Sequence, residues 1–227
     1  MPAEGTDMAP RHALIFIGGN APDISVRAQL PEPALVIAAD SGWAHAVAFG
    51  FTPDLLVGDM DSISKEHLAD AEVSDAEIIE HSADKDFTDT ELALQLARKF
   101  EYRHIHLVSG GGDRFDHLLA MVHSLVAHAD DATMTAHVGA QHVRIVTPRE
   151  SASFDAIPGT TISLIPLGGH AKGVTTQGLQ WELKRSTLRS FASRGVSNVA
   201  NTNSVTVSLR TGALAVITTN NVEGILK

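Results

Sequence analysis

Apolar residues along the first two-thirds of the chain fall in short, nearly unbroken runs, and each run ends in a polar or glycine-rich loop. Leu14-Ile15-Phe16-Ile17 ends in Gly18-Gly19-Asn20, residues 35–39 end in Asp40-Ser41-Gly42, and Leu55-Leu56-Val57 ends in Gly58-Asp59. Ile78-Ile79 leads into His81 and an acidic loop, and residues 105–108 end in Ser109-Gly110-Gly111-Gly112. Runs without strict alternation are what strands covered on both faces look like. Helical spacing lies between them. Residues 43–49 are short and alanine-rich. Thr88-Asp89-Thr90-Glu91 is a capping-box pattern that opens a helix with Leu92, Leu96, Ala97 and Phe100 on one face. Residues 115–128 repeat the spacing with Leu118, Val122, Leu125 and Val126. Strand, loop and helix in repetition predict a mostly parallel sheet with flanking helices and ligands at the carboxyl ends of its strands.

The pattern changes near Thr147-Pro148. Helical spacing stops, and residues 161–165, 179–183, 205–209 and 213–217 read as short strands. Gly159, Gly168-Gly169, Gly178, Gly195 and Gly212 punctuate them as turns. Trp181 falls in an alternating run, which predicts a core residue. The expected architecture is an α/β domain over residues 11–147, then a smaller all-β sandwich or partly open barrel over residues 148–227. Residues 1–10 read as a frayed tail.

Composition narrows the chemistry. The chain has 227 residues with a formal net charge of −10. An acidic chain is a poor partner for nucleic acid or a membrane surface, both of which need a basic face. No cysteine is present, which excludes disulfides, thiolate nucleophiles and Cys-ligated zinc and suits a cytoplasmic protein. No apolar run reaches the length needed to span a bilayer.

Carboxylates concentrate in two loops. Asp59 and Asp61 stand in Gly58-Asp59-Met60-Asp61-Ser62, and Asp84, Asp86 and Asp89 in Asp84-Lys85-Asp86-Phe87-Thr88-Asp89. Like charges held close raise each other's cost of ionising, and a hard divalent cation such as Mg²⁺ removes that cost. Each acid has a plain structural reading: a solvated turn for Asp59 and Asp61, a favourable helix N-terminus for Asp89. Taken together at neighbouring strand ends, they predict a Mg²⁺ site and therefore phosphate chemistry. For Asp59 and Asp61 to face one ion, the loop must turn, and Gly58 makes that easy. Gly110-Gly111-Gly112-Asp113-Arg114-Phe115-Asp116-His117 offers backbone N–H groups and a helix N-terminus to an anion, with Arg114 able to grip phosphate. Asp116 completes the metal site or bonds substrate, and His117 reads as a hydrogen-bonding residue. Lys85 is a salt-bridge partner or a phosphate contact. Asp40 or Ser41 caps a helix or binds a ligand. No P-loop, kinase loop set or nucleophile elbow is present.

Taken in order, these loops resemble the thiamine pyrophosphokinase (thiamin diphosphokinase) family. The resemblance is carried by Ala39-Asp40-Ser41-Gly42, Gly58-Asp59-Met60-Asp61-Ser62, Asp84-Lys85-Asp86-Phe87-Thr88-Asp89 and Gly111-Gly112-Asp113-Arg114-Phe115-Asp116-His117. It continues through Gly178-Leu179-Gln180-Trp181 and Arg194-Gly195-Val196-Ser197-Asn198. It implies a homodimer that transfers pyrophosphate from ATP to the hydroxyl of thiamine and releases AMP. It implies Mg²⁺ on Asp59, Asp61, Asp86 and Asp89, with Asp61, Asp89, Asp116 and Arg114 carrying the chemistry. Asp40, Ser41, Gly42, Lys85, Thr88, Gly111 and Gly112 would line the nucleotide side of the cleft, and Ser197 and Asn198 would help bind thiamine at the subunit interface. Met60 stands where the family often has Phe, and Asp113 adds an acid to the glycine loop. A pyrophosphokinase for a pterin alcohol, a metal-dependent phosphate hydrolase and a non-catalytic nucleotide or thiamine binder remain as alternatives.

Overall fold

A computed structural model describes residues 9–82, 86–112 and 114–219. Six strands run parallel. They are β1 His12–Phe16, β2 Leu35–Ala39, β3 Leu55–Gly58, β4 Glu77–Glu80, β5 His104–Ser109 and β6 Thr133–Val138. Their order in space is β4-β3-β2-β1-β5-β6. The chain winds outward from β1 to β4 and then returns to β5 on the other side of β1. The junction of β1 and β5 is thus a topological switch point, where the loops leaving adjacent strands diverge and open a crevice.

The expectation of a mostly parallel sheet holds only in part. After β6 the sheet turns antiparallel through β7 Gln141–Val146, β13 Thr211–Thr219, β9 Thr161–Gln177, β12 Ser204–Ser208 and β8 Ala152–Asp155. The short strands β10 Ser186–Leu188 and β11 Asn198–Val199 also pair with β9. The reason lies in the connections. A two-residue turn joins β6 to β7, too short for the crossover that parallel strands require. The last strand, β13, then inserts between β7 and β9, so the sheet runs unbroken between the two regions.

Helices α3 Asp89–Lys99 and α4 Phe115–Ala127 cover one face. Leu92, Leu94, Ala97, Met121 and Leu125 pack there against Ala13, Ile15, Ile37, Ile105, Leu107 and Met134. Thr88 caps α3 as expected, its hydroxyl accepting from Glu91 N at 3.2 Å. Phe100, expected on the apolar face, is instead 43% exposed at the C-cap. The opposite face is covered over β1–β5 by α1 Gly42–Ala48, α2 Lys65–Val73 and a 3-10 helix, Ile24–Gln29. A second core lies among the antiparallel strands, around Ile162, Leu164, Val174, Val205 and Val216.

Two other expectations are corrected. Gly168-Gly169 is no turn: it bends the 17-residue strand β9, with φ of +66° and +156°. Residues 179–183 are no strand. Leu179 and Leu183 are buried, and the segment folds back through Gln180 N to Val199 O and Thr176 N to Leu183 O. Trp181 is therefore 58% exposed rather than a core residue. Among the described residues no helix is long and apolar enough to cross a membrane.

Candidate active site

A cleft of about 490 Å³ opens at the switch point. Its walls are the loops that leave β1, β2, β3 and β5, with the N-terminal turns of α3 and α4. Backbone bonds tie two of these loops together: Asn20 N donates to Gly111 O at 3.3 Å, and Gly110 N donates to Asn20 O at 3.1 Å. The approach is close enough that a Cβ on Gly110 or Gly112 would collide with Asn20. Gly111 and Gly112 also adopt φ of +69° and +72°, which glycine takes without strain.

The carboxylates converge on the other side. Asp40 follows β2 directly, 6% exposed, with φ +45°. Its Oδ1 accepts from Met60 N at 3.1 Å. Glycine is required at position 58, because a Cβ there would run into the Asp40 carboxylate. Met60 at φ +62° makes the expected turn, and Asp61 N closes it onto Asp59 Oδ1 at 3.2 Å. Asp89 is the first residue of α3. One carboxylate oxygen from each of Asp40, Asp59 and Asp89 lies within 4.8 Å of the others. Burial pushes Asp40 up to about 7, helped by its hydrogen bond to Asp89 and by the charges of Asp89 and Asp59, with the Met60 N–H opposing. Near neutral pH the cluster thus holds a proton part of the time, which limits its repulsion. Three hard oxygen donors with excess negative charge are the donor set a divalent cation such as Mg²⁺ takes.

Ser41, Asp61, Thr88, Gly111, Gly112 and Arg114 line the same cleft. Several other expected residues stand elsewhere. Asp86 is exposed, three residues ahead of Asp89, and is not among the three converging carboxylates; Asp40 takes that place. Gly42 does not line the cleft: it starts α1 against β1, where a Cβ would collide with Phe16 O. Asp116 is exposed and grips Arg114, whose Nε and Nη2 donate to its two oxygens at 3.2 and 2.6 Å. That pairing pulls Asp116 down to about 2. Lys85, Asp84 and Asp113 lie outside the described residues.

Ser197 and Asn198 stand apart from this cleft. Ser197 is exposed at φ +56°, its N–H donating to Ser163 Oγ at 3.0 Å. Asn198 is 4% exposed and its side chain is spent on protein contacts. It accepts from Trp181 N at 3.1 Å and donates to Trp181 O at 2.8 Å, so it fixes the backbone that presents the exposed indole. The β1 loop was not assigned to the site from sequence, yet Ile17, Gly18 and Gly19 line it, as do Ser62, Ser109 and His117. The glycine pair directly after a strand was the available signal.

Two family models match the chain: the thiamin pyrophosphokinase catalytic domain over residues 27–136 and the thiamin pyrophosphokinase vitamin B1 binding domain over residues 142–214. A thiamine pyrophosphokinase of Arabidopsis thaliana is 26% identical over 231 residues, covering 91% of this chain and 86% of its own. A thiamin pyrophosphokinase of Caenorhabditis elegans is 26% identical over 205 residues, covering 84% and 82%. The crystal structure of thiamine pyrophosphokinase from Bacillus subtilis superposes with a TM-score of 0.81 at 21% identity, over 93% of this chain and 100% of that one. That from Geobacillus thermodenitrificans gives 0.77 at 25% identity, over 92% and 98%.

Proposed function

The chain belongs to the thiamin pyrophosphokinase family, and on that premise we infer that it is an ATP-dependent thiamine pyrophosphokinase. It moves the terminal pyrophosphate of ATP to the hydroxyl of thiamine, giving thiamine pyrophosphate and AMP. The observation that carries this reading is the meeting of three carboxylates and a glycine-lined phosphate loop at one switch point.

In the reaction, the thiamine oxygen attacks the β-phosphorus while the bond from that phosphorus to the α–β bridging oxygen breaks. Such transfers depend mainly on alignment and on charge stabilisation. Asp40, Asp59 and Asp89 would hold Mg²⁺, which supplies positive charge against the phosphate oxygens. Gly111 and Gly112 admit the phosphates close to the backbone, and Arg114 adds a guanidinium at the cleft wall. Asp61 lines the cleft outside the three-carboxylate group, and we assign it to accept the hydroxyl proton.

The thiamine end rests on the β region. The exposed Trp181 offers an indole face to the cationic thiazolium ring, and Asn198 holds it in place. Trp181 does not line the carboxylate cleft, so a second copy of the chain would complete the pocket as a homodimer. The use of ATP suits a cytoplasmic setting. Incubation with ATP, Mg²⁺ and thiamine tests the function: AMP and thiamine pyrophosphate should form in equal amounts, and only when all three are present. Release of phosphate without thiamine would point to a hydrolase instead.

A further inference from the structure

A second cavity, of about 610 Å³, shares no lining residue with the carboxylate cleft. It lies over β6, β7 and β13, on the sheet face opposite α3 and α4. Its floor follows from the register. His137 of β6 pairs with His142 of β7, and His142 with Thr218 of β13. In the next row Arg144 pairs with Val216. All five line the cavity, so the phase of three strands turned away from α3 and α4 faces one space. The wall comes from distant segments: Phe154 of β8, Ile157 and Pro158 after it, Asn203 before β12, and Gln29 of the 3-10 helix.

Three features define what this space accepts. First, its floor carries little usable charge, and the one acidic lining residue, Asp155, is exposed at the rim. Arg144 is engaged by Glu150 at 2.5 Å, and burial pushes His137 down to about 3 and His142 to about 4, so both rings are neutral at pH 7. An inorganic anion has no open cation to bind. Second, the imidazoles belong to no group of three converging metal ligands among the described residues, which argues against a transition metal. Third, the surface joins flat aromatic groups to neutral hydrogen-bonding groups. The His137 and His142 rings stand edge to face, 5.0 Å apart, with Phe154 on the wall and the Thr218 hydroxyl and Asn203 amide beside them. His137 is 2% exposed, and its Nδ1 has no hydrogen-bond partner among the described residues. An unpartnered buried nitrogen is costly, and few native sites keep one without a reason. A volume of this size, mostly apolar with a few polar groups, is that of a small-molecule site.

We propose that this cavity is a second ligand site, separate from the catalytic cleft, for an uncharged planar heteroaromatic molecule that packs against His142 and Phe154 and bonds to the floor. The two regions are linked through the backbone. Two residues beyond His137, Gly139 N donates to Ser109 O at 3.0 Å, and Ser109 Oγ accepts from Gly111 N at 3.1 Å. The site therefore sits one loop away from the phosphate-facing glycines.

Benzimidazole at pH 8, where it is neutral, is the probe, titrated into the full chain with histidine rings labelled by ¹⁵N and with AMP present to occupy the cleft. The His137 and His142 ring resonances should shift saturably in the millimolar range while His117, which lines the cleft, stays fixed. Ile157→Ser, at a 47% exposed wall position, should weaken binding roughly fivefold, as should Thr218→Val, which removes the hydroxyl at nearly constant shape. Shifts confined to His117, no shift at His137 and His142, or unchanged binding by both variants would overturn the proposal.

Discussion

The carboxylate cleft and the imidazole cavity are two solutions to one problem. Each gathers titratable groups on the same sheet, and in each burial drives a group toward its neutral form: Asp40 upward to about 7, His137 and His142 downward to about 3 and about 4. They differ in what neutrality leaves behind. Neutral histidines still offer hydrogen bonds and aromatic faces, so the cavity needs no ion to offset charge. The cleft keeps three carboxylates within 4.8 Å and escapes their repulsion only by holding a proton or a cation. One region is already neutral, and the other, on the proposed function, would exchange its proton for a metal.

The largest effect that sharpens this contrast is expected from Asp40→Asn. Activity should fall by about 10²–10³-fold, the scale on which one preorganised charge-stabilising group acts. Thermal stability without Mg²⁺ should rise at pH 8, because a repelled carboxylate has gone. Loss of stability with loss of activity would mean that Asp40 is held for folding, not for a cation. Gly58→Ala should come next. Its Cβ meets the Asp40 carboxylate at a backbone position of φ +155°, so it should cost about 1–3 kcal/mol in denaturant unfolding and disable the cleft as well.

How far the sequence disclosed these regions follows from their physics. The parallel strands were legible because both faces are covered: residues 35–39 are uninterrupted apolar and form β2 at those bounds. The acidic turn was legible because Gly58 and its flanking carboxylates are local. The role of Asp40 was not, since its partners Met60 and Asp89 are 20 and 49 positions away. β6 and β7 were missed because the phase turned away from α3 and α4 carries His, Thr and Arg rather than an apolar run. Trp181 was misread because alternation alone cannot tell a strand from a segment folded back by Asn198.

Stability as a function of pH gives a smaller but more diagnostic effect. Asp40 ionises near 7 in the fold and at 3.8 in an exposed chain, so its contribution is full below 3.8 and lost as pH rises through 7. His106, His137 and His142 are lowered from 6.5, so theirs is full above 6.5 and lost as pH falls toward 4 and 3. His12 is lowered too, by burial and then by His104, and adds to the same loss. Between pH 7 and 5 the two regions oppose each other, with the histidines outnumbering Asp40. Thermal melts across this window should show stability falling with acid, and falling more steeply in Asp40→Asn or with saturating Mg²⁺. Parallel curves for all three would break the comparison.

The smallest effect is expected at the β region. Trp181→Ala should raise the KM for thiamine about tenfold while leaving the KM for ATP unchanged, because only the thiazolium contact is removed. An equal change in both would place Trp181 in general packing between subunits.

Calorimetric titration of Mg²⁺ at pH 6.5, in two buffers of different ionisation enthalpy, tests the cation site most directly. With Asp40 at about 7, each bound ion should release about three-quarters of a proton, and that release should vanish in Asp40→Asn along with most of the affinity. Binding without proton release, or at unchanged affinity in Asp40→Asn, would contradict the assignment of Asp40, Asp59 and Asp89 as the metal-holding set.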